Sequence, residues 1–372
     1  MEKRSTISPS LYSICNYFFP RLLFLNSSYA PNIHYGDIVE ALTDFPEFEK
    51  NDLSYSKFWE HWMERWKLQG EKYIKIANSM TSQSNYCRAH KSAAACYHWA
   101  EFMYFGDEKI ILRKKVRESF KESIKDKKIE IVFEECHLEG IKITYIIVYP
   151  DKMNDSYPCV LISNGLDSMT EIEPLSLAEY YLEKGIAVIL FEGPGQGINL
   201  GHTPIPLEME YFVELLLKKL NNNEKIDKKR LGFLGISFGG YIALRIAQKL
   251  GNYFKCIINI SGGPVLRNFI SLARRLKTDF SYAFMQDDNS FIMQDIFDKL
   301  KIDIEKLPSS DIISIHGVHD DIFPIKFLKK LDQEWGDKHR LIVYNKETHA
   351  CLNVLNQYNL IASDILSNKL LN

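Results

Sequence analysis

The chain predicts an α/β protein: a mainly parallel, doubly wound sheet preceded by a helical domain and interrupted by a late insertion. Three observations carry that reading. Helical periodicity dominates from about residue 55 to 126. At Lys128 the pattern changes to short apolar runs, most of them alternating with helical segments, and between 264 and 310 this rhythm breaks. The expected organisation is therefore a helical N-terminal domain over 1–127 and an α/β domain over 128–372 containing an insertion at 264–310.

In the first domain Phe58, Trp59, Trp62 and Trp66 recur at three- and four-residue spacings, so their side chains share one helical face. Ala89, Ala93, Cys96, Tyr97, Ala100 and Tyr104 form a second such stripe. Packing between helices accounts for most of these aromatics; Trp99 and Tyr104 are the ones considered for facing a substrate cavity. The runs 129–133 and 141–148, separated by Glu139-Gly140, form a β-hairpin pattern. Residues 159–162, 187–191, 231–235, 256–260, 312–315 and 341–344 are continuous apolar runs separated by helical segments, as expected for parallel strands buried on both faces. Asn221-Asn222-Asn223 reads as a helix-to-strand loop. The insertion holds Phe269, Phe280, Tyr282, Phe284, Phe291 and Phe297 and is too long for a structureless connection, so it is expected to form helices beside the strand ends as a lid.

Composition excludes several classes of protein. With 46% hydrophobic and 25% charged residues among 372, the chain is an ordinary globular sequence. Its formal net charge is −2, and the basic runs 113–115 and 228–230 lie among acids, so no nucleic-acid partner is expected. The seven cysteines form no C-x-x-C pair and read as reduced, mostly buried thiols. Glu2-Lys3-Arg4 precedes an apolar-aromatic stretch, but Pro20 and Arg21 interrupt it, so a secretory leader is not expected. No apolar run approaches the roughly 20 residues of a membrane-spanning helix; a cytoplasmic protein without a membrane partner is the expectation. Gly193-Pro194-Gly195-Gln196-Gly197 lacks the ending of a P-loop, and His316-x-x-His319 lacks a convincing set of partner ligands. No cofactor or metal is expected.

The chemistry is concentrated at Gly235-Ile236-Ser237-Phe238-Gly239, a G-x-S-x-G placed between an apolar strand and the helical run 241–247. Such a tight strand-to-helix turn lifts the Ser237 hydroxyl into a cleft, and small neighbours permit the close approach. It also sets the Phe238 N–H at a helix N-terminus, where it suits a developing oxyanion. The second oxyanion donor is expected in the loop Asn164-Gly165-Leu166-Asp167-Ser168, from the Leu166 N–H. A serine hydroxyl is a weak nucleophile near neutral pH; it needs an imidazole to take its proton and a carboxylate to orient and stabilise that imidazole. In His316-Gly317-Val318-His319-Asp320-Asp321-Ile322-Phe323-Pro324, after a late strand, Asp320 is the expected acid and Asp321 its competitor. After the final strand, Lys346-Glu347-Thr348-His349-Ala350 supplies the expected base, His349, whereas His339 lies at the wrong end of that strand. The order Ser237, Asp320, His349 is that of α/β-hydrolases.

Together Asn164-Gly165-Leu166-Asp167-Ser168, Phe191-Glu192-Gly193-Pro194-Gly195-Gln196-Gly197 and the serine turn resemble the FrsA-like branch of the α/β-hydrolases. That branch includes 2,6-dihydropseudooxynicotine hydrolases and the polyketide chain-shortening hydrolases of pigment and anthraquinone pathways. The Trp-rich segment and Tyr86-Cys87-Arg88-Ala89 extend the likeness over most of the chain. Asn164, Glu192 and Thr348 stand where that branch usually has glycine, aspartate and glycine. The resemblance implies a helical cap over the active site, a homodimer and, as in several members, hydrolysis of a carbon–carbon bond beside a carbonyl in a small-molecule or carrier-bound acyl or polyketide substrate. A carboxylesterase or thioesterase would use the same residues, and a non-catalytic regulatory binding protein of this fold would ordinarily lack one of them. None is missing here.

Overall fold

In the computed structural model, residues 27–46, 56–151, 154–287 and 289–372 are described. They fall into two compact units, one reaching to Lys128 and taking in Glu171–Ser176, the other holding Ile129–Thr170 and Leu177–Asn372. The short return of chain at 171–176 to the helical unit has no periodic signature in the sequence.

The helical unit contains α1 (Tyr35–Leu42), α2 (Ser56–Asn78), α3 (Gln83–Glu101) and α4 (Glu108–Ser123). The α2 stripe is buried: Phe58 and Trp66 are 0% exposed and Trp62 1%. Trp62 donates its indole N–H to the Trp99 carbonyl at 2.8 Å, joining α2 to α3. Trp99 itself is buried. The α3 stripe was expected to reach Tyr104, but the helix stops at Glu101. There the Lys109 ammonium donates to the Glu101 carbonyl at 2.8 Å, which satisfies a terminal acceptor and fixes the turn into α4.

That lysine belongs to a buried charge cluster. Glu101 Oε2 accepts from Lys109 Nζ and from Arg113 Nε, each at 2.9 Å. His98 lies 3.1 Å from Glu101 Oε1 through Nδ1 and 3.1 Å from Glu173 Oε1 through Nε2. Glu173 comes from the returning segment, and Arg117 pairs with Glu171 of the same segment. Burial alone would raise the Glu101 carboxyl, yet Arg113 and Lys109 hold it well below the ordinary carboxylate range. Burial would likewise lower His98, but Glu173 and Glu101 raise it to about 9.

The second unit is built on an eight-stranded sheet of order β1-β2-β4-β3-β5-β6-β7-β8. β1 (Ile131–Leu138) and β2 (Ile141–Val148) form the expected hairpin, and β2 runs antiparallel to β4 (Ala187–Glu192). β3 (Tyr157–Ser163), β5 (Ile226–Ile236), β6 (Cys256–Ile260), β7 (Ile312–Gly317) and β8 (His339–Tyr344) complete a parallel array. β1 is longer than the 129–133 run and begins later; Glu134 and Glu135 face outward on this edge strand and hide its continuation from an apolar pattern. β5 likewise starts earlier than its apolar run, at Ile226: the polar residues 227–230 fall where the pairing with β3 shifts register, between Tyr157–Ile226 and Cys159–Leu231, and so carry no apolar pattern. Its neighbours β3 and β4 are buried throughout, which matches their continuous apolar runs.

The remaining helices of the order are α5 (Glu173–Leu182), α6 (Glu210–Leu220), α7 (Phe238–Lys249), α8 (Arg274–Ala283), α9 (Ser290–Lys299), α10 (Ile325–Trp335) and α11 (Leu355–Leu371). α8 and α9 form the insertion, whose base is closed by the Ile302 N–H donating to the Pro264 carbonyl at 2.9 Å. Phe269, Phe280, Phe284 and Phe297 make its core, with Phe280 and Phe297 ring centroids 4.8 Å apart, whereas Phe291 is 85% exposed. Six cysteines are free and buried, and Cys15 lies outside the described residues, as do Glu2-Lys3-Arg4, Pro20 and Arg21. Among the described residues no helix is long and apolar enough to cross a membrane.

β4 follows β3 on one side, and β5 then pairs with β3 on the other. The chain therefore reverses its winding at β3 and β5, and their carboxyl ends open the crevice where α/β sheets bind ligands.

Candidate active site

Ser237 is the single residue between β5 and α7, with φ 59 and ψ −118. Left-handed torsion at a residue with a Cβ costs about 1–3 kcal/mol and persists where its surroundings over-determine it. Here the Ser237 N–H donates to the Ile260 carbonyl at 2.8 Å, and its carbonyl accepts from Tyr241 N at 3.1 Å to start the helix. The turn presses against the end of β3: a Cβ on Gly239 would lie 2.3 Å from the Ser163 carbonyl oxygen and 2.6 Å from that of Asn164. This contact makes glycine obligatory there. A Cβ on Gly165 would meet the Ser237 Cβ at 3.5 Å, so the loop carrying Leu166 passes beside the serine.

Asp320 lies in the turn after β7, where its Oδ1 accepts from the N–H groups of Ile322 (2.9 Å) and Phe323 (2.8 Å). Oδ2 is thereby turned to His349 Nδ1 at 2.7 Å, and His349 Nε2 is 2.7 Å from Ser237 Oγ. The three residues named from the sequence thus form one continuous hydrogen-bonded line. Asp321 is exposed to solvent. His339, at the start of β8, is engaged elsewhere, 2.7 Å from both Asp332 Oδ1 and Ser314 Oγ. Leu166 is buried in the loop after β3, and Phe238 is the first residue of α7.

Several supporting residues were not anticipated from sequence. His316, fully buried, donates from Nε2 to the Phe323 carbonyl at 2.8 Å and so braces the Asp320 turn. Ser261, with φ 55, accepts the Ala350 N–H at 3.0 Å, holding the segment after His349, where Ala350 and Cys351 have φ of 65 and 50. The His319 N–H donates to the Glu347 carbonyl at 2.9 Å, tying the acid turn to the histidine loop. Only H-G-x-x-D in this set has a sequence pattern; Ser261 and Glu347 acquire their roles from contacts across the sheet.

Burial would lower His349, but the charge and hydrogen bond of Asp320, with Asp321 and Asp167 beyond, raise it above the ordinary histidine value of 6.5. Burial would raise Asp320, yet His349 and the surrounding donors hold it below the ordinary carboxylate value. An imidazole that must be neutral to accept a proton then loses function on acidification. The acid limb of kcat/KM is expected above pH 6.5, moving downward in Asp320→Asn; a limb well below 6.5 in the wild type would contradict this electrostatic balance. Among the described residues no His, Cys, Asp and Glu side chains gather in the groups of three that would hold a metal ion.

The sheet order, the strand-to-helix turn and the strand-end positions define an α/β-hydrolase. The family model described as Esterase FrsA-like matches residues 52–282, and the chain belongs to that family. A model of the prolyl oligopeptidase family also matches residues 212–365. The 2,6-dihydropseudooxynicotine hydrolase of Paenarthrobacter nicotinovorans is 23% identical over 332 residues, covering 87% of this chain and 85% of the relative. The 20-hydroxy-prefusarin hydrolase of Gibberella moniliformis is 28% identical over 206 residues, 50% of this chain and 49% of that one, so the chain spans about half of that relative. In structure, the 2,6-dihydroxy-pseudo-oxynicotine hydrolase superposes with a TM-score of 0.75 at 21% identity over 95% of both chains. AbyA5 superposes at 0.68 and 18% identity, over 82% of this chain and 89% of that one. These relatives agree with the resemblance drawn from the sequence, and the protein is a hydrolase.

Proposed function

We propose that this hydrolase cleaves a carbon–carbon bond beside a carbonyl, in the retro-Claisen sense, in a β-dicarbonyl or polyketide-like small molecule. The observation that carries the reading is the hydrogen-bonded line Ser237–His349–Asp320, with 2.7 Å at each link. Ser237 Oγ attacks the ketone carbonyl while its proton passes to His349 Nε2, and Asp320 stabilises the imidazolium. The new oxyanion accepts from the N–H groups of Leu166 and Phe238. On collapse, the electron pair of the carbon–carbon bond leaves as an enolate, which takes the proton from His349. Water then attacks the acyl-serine, giving one proton to His349, which returns it to Ser237 Oγ. One water is consumed, and the products are a ketone and a carboxylic acid. The named substrates of the two curated relatives are small molecules, which supports a substrate of that size.

The family description names an esterase, which favours a carboxylesterase or thioesterase as the second reading. The same residues serve it, without an enolate. Purified protein given a β-diketone, a p-nitrophenyl ester and an acyl thioester separates the two. Diketone cleavage to a stoichiometric acid and ketone is the expected result; rapid ester or thioester turnover with an intact diketone would exclude the carbon–carbon reaction.

A further inference from the structure

Glu192 is the last residue of β4 and is 0% exposed. Its Oε1 accepts from the Thr170 N–H at 2.9 Å and from Thr170 Oγ1 at 3.1 Å. Its Oε2 accepts from the Ile198 N–H at 3.0 Å and from Thr144 Oγ1 at 3.3 Å. Gly197, at φ 47, leaves room for the carboxyl group, since a Cβ there would lie 1.9 Å from Glu192 Cδ. From the same turn Gln196 accepts the Gly193 N–H at 3.3 Å and donates Nε2 to the Asn164 carbonyl, also at 3.3 Å. Asn199 Nδ2 donates to the Glu192 carbonyl at 2.8 Å, locking the turn to the strand end.

These bonds converge on one loop. Residues 164–170 leave β3, pass Ser237 at Gly165 and carry Leu166. Gln196 holds the first carbonyl of that loop and Glu192 holds its last residue. We infer that Glu192 and Gln196 are positioning residues for oxyanion stabilisation: a clamp, made by the turn after β4, that sets the Leu166 N–H against the carbonyl attacked by Ser237. This rests on the assignment of Ser237 and Leu166 made above.

The physical case lies in the acceptors. The Thr170 and Ile198 N–H groups are backbone donors, one aimed at each carboxylate oxygen, and unlike hydroxyls they cannot rotate away. A carboxylate is acceptor-only and satisfies both; an amide has one oxygen, so in Glu192→Gln its NH₂ must face a backbone N–H. A buried group left without its partner moves or forces its neighbours to move. Displacing a preorganised donor by a fraction of an ångström weakens the transition state more than the bound ground state.

The test uses the full-length protein and a fluorophosphonate, which phosphonylates an active serine and sets its phosphoryl oxygen in the oxyanion site. Glu192→Gln is expected to lower the maximal labelling rate kinact by roughly 10- to 100-fold. KI should stay within about threefold, and the acid limb set by His349 should not move, because displacing a donor leaves ground-state binding and the imidazole unchanged. Gln196→Ala, which leaves the carboxylate in place, should lower kinact in the same sense by a smaller factor. It decides the matter if Glu192→Gln melts below the assay temperature. Wild-type kinact in the folded variants would overturn the clamp. A loss confined to KI, or a shift of the acid limb, would also overturn it, by assigning the effect to binding or to the triad. Ser237→Ala labelled like the wild type would remove the nucleophile assignment together with the clamp, whereas an unlabelled Ser237→Ala beside a fully active Glu192→Gln removes the clamp alone.

Discussion

Ser237→Ala is expected to abolish turnover, by roughly 10⁴- to 10⁶-fold, while leaving the fold intact. The substitution deletes one oxygen from a partly exposed side chain. It leaves the His349–Asp320 hydrogen bond and the backbone bonds of the turn in place. Alanine at φ 59 carries the same steric cost as serine, so the strain stored at this position does not change sign. Measured together, the thermal midpoint should stay within a few degrees of the wild type while acid release and fluorophosphonate labelling vanish. Retained turnover in a folded Ser237→Ala protein would sink the assignment of the nucleophile.

The second large effect lies in the helical unit. Glu101→Ala is expected to destabilise that unit by about 3–5 kcal/mol, the usual cost of removing one partner from a buried ionic cluster. Lys109 and Arg113 are 2% and 0% exposed, and both lose the carboxylate they share. Burial works against the charged form of His98, but Glu173 and Glu101 raise it to about 9 in the fold against an ordinary 6.5. Its contribution to stability is therefore complete below pH 6.5 and lost as pH rises through about 9. Denaturant melts of Glu101→Ala, and of the wild type across that pH window, read both effects. A melt unchanged by Glu101→Ala would show that the cluster contributes no net stability, and a wild-type midpoint that rises between those pH values would reverse the sign assigned to His98.

The legibility of the chain follows burial. Runs such as 256–260 and 312–315 are apolar because both faces of those strands are covered, and β6 and β7 occupy them with little change at either end. The charged first part of β5 and the glutamates of β1 carry a surface pattern, and those strands differ most from expectation. The candidate site was readable for another reason. The turn of Ser237, the turn of Asp320 and the loop of His349 each follow a strand, and parallel strands deliver their carboxyl ends to one side of a sheet. Ser237, Asp320 and His349 could therefore be named before any distance between them was known.

By itself the sequence determined the run of buried strands, the order of Ser237, Asp320 and His349 along the chain and the separation of a helical part from the sheet, because each is written in local periodicity or in a turn a few residues long. The tertiary structure alone decided that residues 171–176 join the helical unit, that Glu101 anchors a buried ionic cluster, that Ser261 holds the segment after His349, and that Glu192 binds both Thr170 and Ile198. A buried polar side chain has the same letter as an exposed one. What it does depends on partners tens of residues away, and only the folded chain brings those within hydrogen-bonding distance.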